Sequence, residues 1–98
     1  MLTKIFIRTF PSTEECELFE SILKTRWPSL LENVTGVVFN AYKNPSQDNI
    51  LTVVWEFPDE ITQKKVETLI EENITKFTRT LSPKTMSFTG KQVFHMST

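Results

Sequence analysis

The 98-residue chain has a single cysteine, Cys16, which excludes an internal disulfide and a cysteine cage for zinc. Its only histidine, His95, has no companions at metal-ligand spacing, so no metal site and no cofactor are expected. No run of about 18 apolar residues exists, so nothing is built to span a membrane. The formal net charge is −1, without the basic excess that a phosphate backbone requires. Nucleic acid is therefore not an expected partner. The densest basic pair, Lys64-Lys65, sits beside acids and reads as a solvated helix face. The opening segment Met1–Arg8 is short and alternating, unlike the long apolar core of a signal peptide. With one thiol and no anchor, a cytoplasmic protein is expected. There are no repeats, linkers or low-complexity tracts, so residues 1–98 read as one domain.

What is present is organised around Asn49–Phe57. It is β-branched and aromatic, and Pro58-Asp59 stops it. Leu51, Val53, Trp55 and Phe57 make one wholly apolar face; Ile50, Thr52, Val54 and Glu56 make a mixed one. A first strand is predicted over Leu2–Phe10, ended by Pro11. Ser12 then caps a helix whose Glu15 closes the capping box. Cys16, Phe19, Leu23, Trp27 and Leu30 fall on one helical stripe. Pro28 predicts a break or kink near Trp27, with a last turn through Glu32. A second strand covers Val34–Lys43, and the turn formers of Asn44–Asn49 join it to the central strand. Asp59 caps a second helix running unbroken to about Leu81. A last strand begins near Lys84, Gly90 interrupts it, and Val93–Met96 forms a short extended piece.

The order is β-α-β-β-α-β: a ferredoxin-like α+β plan with a four-stranded antiparallel sheet and two helices on one face. The face under the helices is predicted to hold Ile5, Ile7, Val37, Phe39, Ala41, Met86 and Phe88 with the odd residues of the central strand. The hairpin places Tyr42 beside Thr52, Asn40 beside Val54 and Val38 beside Glu56. The first strand is expected to put Arg8 near Thr52, Phe6 near Val54 and Lys4 near Glu56. The second face is then too apolar for water and too polar for a sealed core. That mixture suits a pocket lining or an interface around one.

In element order, length and two-faced sheet the chain resembles the dimeric α+β barrel superfamily, which includes antibiotic-biosynthesis-monooxygenase-like and stress-responsive families. The resemblance implies a homodimer packed sheet to sheet, with a small apolar or aromatic molecule held in the shared barrel. It also implies cofactor-free oxidation or proton transfer as the class of any chemistry. Haem-degrading relatives have a strand tryptophan, which Trp55 would match. They also have an asparagine on the first strand and a histidine on the second helix, and this chain has neither.

On that plan the ligand-binding residues are Arg8, Phe6, Asn40, Tyr42, Thr52, Val54 and Glu56. Arg8 would hold a carboxylate or other anion and Tyr42 would donate a hydrogen bond. Tyr42 and His95 are the candidates for proton transfer. Glu56 is expected to pair with Lys4 across the strands. Cys16, Trp27 and Trp55 are expected to be packed core. The alternative function is a dimerisation or interaction module whose mixed face encloses no pocket.

Overall fold

A computed structural model covers Met1–Thr98. One sheet of four strands has the order β2-β3-β1-β4. The strands are β1 (Leu2–Thr9), β2 (Val38–Lys43), β3 (Ile50–Phe57) and β4 (Lys84–Lys91). Every neighbouring pair is antiparallel. Three helices, α1 (Thr13–Leu30), α2 (Glu60–Asn73) and α3 (Thr75–Leu81), complete the ferredoxin-like α+β fold.

Ser12 and Asp59 start α1 and α2 as N-caps, accepting from the Glu15 and Thr62 amides. Cys16, Phe19, Leu23 and Trp27 are the buried stripe of α1. The helix continues through Pro28 to Leu30, against the expected break. Trp27 anchors this stretch by packing on Phe39 and Trp55, with centroids 5.8 and 4.6 Å away. The Leu31 amide still reaches the Trp27 carbonyl at 3.0 Å, so the helix loses only the bond that proline cannot make.

The single long helix expected after Asp59 is two helices, divided at Ile74. Ile74 turns into the core at 2% exposure, and the Thr75 hydroxyl donates to the Ile70 carbonyl at 3.2 Å. Two adjacent β-branched residues, one drawn inward and one bonding to backbone, favour this bend over a straight helix. Strand β2 begins at Val38, later than Val34. Gly36 precedes it at φ +80°, where a Cβ would sit 3.1 Å from the Pro58 ring. Strand β4 runs through Gly90 without interruption, and the ladder ends where the Gln92 amide meets the Met1 carbonyl. Val93–Met96 forms no strand.

The β2–β3 register places Tyr42 opposite Thr52, Asn40 opposite Val54 and Val38 opposite Glu56, as the hairpin predicts. The β1 register differs from expectation by one residue. Arg8 faces Leu51, Phe6 faces Val53 and Lys4 faces Trp55. Antiparallel partners share a face, so this slip turns the whole strand over. Leu2, Phe6, Arg8 and Phe10 lie under the helices, while Ile5, Ile7, Met86 and Phe88 lie on the open face. The larger side chains decide it: Phe10 fills the core at 2% exposure and meets the Phe19 ring at 5.3 Å. Lys4 accordingly pairs with Glu67 of α2, not with Glu56.

Candidate functional site

The helix side of the sheet holds an aromatic cluster around Trp55. Phe39 approaches its ring at 4.2 Å, Trp27 meets it edge-on at 4.6 Å, and Phe57 stacks at 5.9 Å. Strand β2 is the edge of the sheet, so α1 covers it incompletely. A cleft of about 410 Å³ opens there between α1 and β2. Leu23, Trp27, Pro28, Leu31, Phe39 and Ala41 line it, with Glu20 and Lys24 at its margin. Glu20 accepts from both Lys24 and Lys43 at 2.8 Å. Those two bonds, Lys24 first, hold its carboxyl below the usual carboxylate range, and Glu20 in turn raises the Lys43 ammonium.

Behind the cleft lies a small cavity of about 10 Å³, room for one water molecule. Leu23, Trp27 and Phe39 line both spaces and form the partition between them. The cavity's one charged lining residue is Arg8. Arg8 is 6% exposed, the only buried charged residue. Its Nε is buried without a hydrogen-bond partner. The ion pairs of the molecule use Lys4, Lys24 and Lys43, and none reaches Arg8. Its guanidinium instead lies over the Phe6 ring at 4.5 Å and the Phe19 ring at 5.1 Å. Burial pushes it down to about 10, leaving it a cation at neutral pH.

The residues assigned to one site by sequence are thus divided. Phe6 and Arg8 are on the helix side. Asn40, Tyr42, Thr52, Val54 and Glu56 share the open face. The grouping of Arg8 with Tyr42 and Asn40 is corrected, because the sheet separates them. His95 is exposed in the segment after β4. No three His, Cys, Asp or Glu side chains are grouped to hold a metal ion. Cys16 is wholly buried, and burial pushes its thiol up, away from the reactive thiolate. The cleft and its partition escaped the sequence reading. Their signal was the alternation Phe6-Arg8-Phe10, which sets Arg8 in phase with a phenylalanine of its strand and with the one that follows it.

The open face is the other distinctive surface. Ile7, Val38, Tyr42, Met86 and Phe88 are exposed by 38, 41, 55, 71 and 63%, and no helix covers them. They lie on β1, β2 and β4, with Thr52, Val54 and Glu56 of β3 between β2 and β1 on the same face.

Comparison with known proteins supports the fold. A dimeric ferredoxin-like protein from an uncultured marine organism superposes with a TM-score of 0.82 at 18% identity, covering 99% of this chain and 91% of that one. SnoaB, a cofactor-independent oxygenase from Streptomyces nogalater solved as a point mutant, gives 0.72 at 13% identity, covering 97% and 95%. An antibiotic-biosynthesis-monooxygenase-like protein from Nitrosomonas europaea gives 0.70 at 10% identity, covering 96% and 100%. No family model and no curated protein matches the sequence. The resemblance read from the sequence is borne out as a likeness of fold to these structures.

Proposed function

We propose that this protein is a cytoplasmic homodimer in which each protomer binds a small apolar or aromatic molecule. The carrying observation is the cleft between α1 and β2. Its volume of about 410 Å³ and its lining by Trp27, Phe39, Leu23 and Leu31 match a small-molecule pocket. The ligand site therefore moves from the space between two sheets to the helix side of each sheet. Asn40, Tyr42, Thr52, Val54 and Glu56 then face the second copy. Pairing of the open faces is supported by their exposed apolar residues and by the dimeric ferredoxin-like neighbours. The likeness to a cofactor-independent oxygenase is a reason to test the bound molecule for oxidation.

Two measurements test this reading. Light scattering on an eluting peak is expected to give twice 11.4 kDa. Aromatic probes are expected to change the emission of Trp27 and Trp55 saturably, since Trp27 lines the cleft and Trp55 packs behind it. A monomer at micromolar concentration refutes the pairing, and no saturable response to any probe refutes the pocket. The uncovered face itself favours the second reading, a dimerisation module. A dimer that binds none of the probes would establish that reading instead.

A further inference from the structure

We infer that the molecule taken by this cleft is an acid, and that Arg8 binds its carboxylate behind the Trp27–Phe39 partition. The inference rests on the reading of the cleft as a ligand site and adds the ligand's charge and orientation.

Three observations converge. First, Arg8 is 6% exposed, and its Nε lacks any partner. Buried arginines are ordinarily paired, because desolvating a cation costs more than contacts with rings return. No acid reaches Arg8, and its guanidinium lies over the rings of Phe6 and Phe19. Second, the cavity it lines adjoins the cleft through Leu23, Trp27 and Phe39. A flat aromatic body lying against those side chains points its substituent toward the guanidinium. The guanidinium fork matches a carboxylate in shape and charge.

Third, the charges around the two approaches differ. At the cleft, the two charged lining residues, Glu20 and Lys24, pair with each other and leave no net charge. A groove on the opposite side, which shares Phe6 and Ile70 with the cavity, carries Glu67 and Glu71 against Lys4. An anion meets no net charge at the first approach and is repelled from the second. The inner cavity holds about 10 Å³, too little for a carboxylate, so Trp27 or Phe39 must turn aside as the acid enters. Binding is therefore coupled to movement of a tryptophan or of the ring beside it.

The test uses the full chain at pH 7.5, with benzoate and 2-naphthoate as acid probes. Benzyl alcohol and 2-naphthalenemethanol are their neutral counterparts. Tryptophan emission and the shift in melting temperature report binding. The acids are expected to bind at least about tenfold more tightly than the alcohols, the range of a charged hydrogen bond. In Arg8→Met that preference is expected to fall to about one. Arg8→Lys is expected to keep an intermediate preference and serves if the methionine variant does not fold. Equal binding of acid and alcohol by the wild type overturns the acid inference and leaves the pocket standing. Retained preference in Arg8→Met, or full preference in Arg8→Lys, overturns the assignment to Arg8. No binding of any probe overturns both readings.

Discussion

Replacing Arg8 with methionine is expected to stabilise the unliganded protein. The magnitude follows from the surroundings of the guanidinium. Burial lowers it well below its ordinary value, to about 10. At about 1.4 kcal/mol per unit, the fold disfavours the cation by roughly 3 kcal/mol relative to the unfolded chain. The sign matters here. A cation whose folded value lies below its unfolded value destabilises the fold at every pH below the folded value. Relief comes only as pH rises through about 10, so at neutral pH the penalty is complete. Against this stand the contacts with Phe6 and Phe19, worth about 2 kcal/mol when desolvated. Methionine keeps an unbranched stem, packs against the same rings and carries no charge. The balance is a gain of about 1 kcal/mol, within the range seen when apolar residues replace buried charges.

Urea unfolding at matched protein concentration measures it. With a slope of about 1–1.5 kcal/mol per molar urea for a chain of this size, the midpoint should rise by nearly 1 M. Alanine is less informative, because it removes the stem and leaves a void. A midpoint in Arg8→Met lowered by a similar amount would refute the reasoning. Arg8 would then be a structural residue whose partners already satisfy it. A rise in stability together with loss of acid binding would mark Arg8 as held in the core for its ligand.

Other perturbations separate the remaining parts of the argument. Phe88→Glu should convert the dimer to a monomer by light scattering. The ring is 63% exposed on the open face, and burying that part of an aromatic side chain contributes roughly 3 kcal/mol per copy; a retained dimer would show that another surface pairs. Gly36→Ala should lower stability by about 1–2 kcal/mol in the same urea assay, since φ +80° strains any residue with a Cβ and Pro58 leaves it little room. Glu20 has a carboxyl held low by Lys24 and Lys43, so its contribution is present above its ordinary value of 4.5 and is lost as pH falls through the lower folded value. Lys43→Met should flatten stability against pH below 4.5, and an unchanged acid limb would show that this pair contributes nothing.

The parts of the fold legible in the sequence are those fixed locally. The stripe of α1 is visible because Cys16, Phe19, Leu23 and Trp27 repeat at helical spacing, and all are buried. The β2–β3 register is legible because a short turn joins the strands. Asn44 closes that turn with its own side chain, accepting from the Ser46 and Gln47 amides at 2.8 and 2.9 Å. The pairing of β1 with β3 has no such local determinant. Only the filling of the two faces sets it, and both alternations of β1 are apolar: Ile5 and Ile7 on one, Leu2, Phe6 and Phe10 on the other. Charge suggests that the strand should turn Arg8 outward, while volume turns Phe6 and Phe10 inward. Volume prevails.

That outcome bears on function as well as on topology. Had Ile5 and Ile7 filled the core, Arg8 would stand on the open face, where water or a second copy could satisfy it. Instead the two phenylalanines bring a cation into the core with them, and no acid accompanies it. Thr85, the strand partner of Arg8 on β4, is exposed beyond the reach of the helices, and Leu51, its partner on β3, offers no polar side chain. Arg8 is therefore the one charged position where the strand pattern and the burial of its neighbours conflict. Such conflicts concentrate where a chain retains a residue for something other than folding. Here the unsatisfied group lies behind the three side chains that also line the cleft between α1 and β2. The tertiary arrangement that hid the position of Arg8 from the sequence also makes it the residue best placed to recognise an acid.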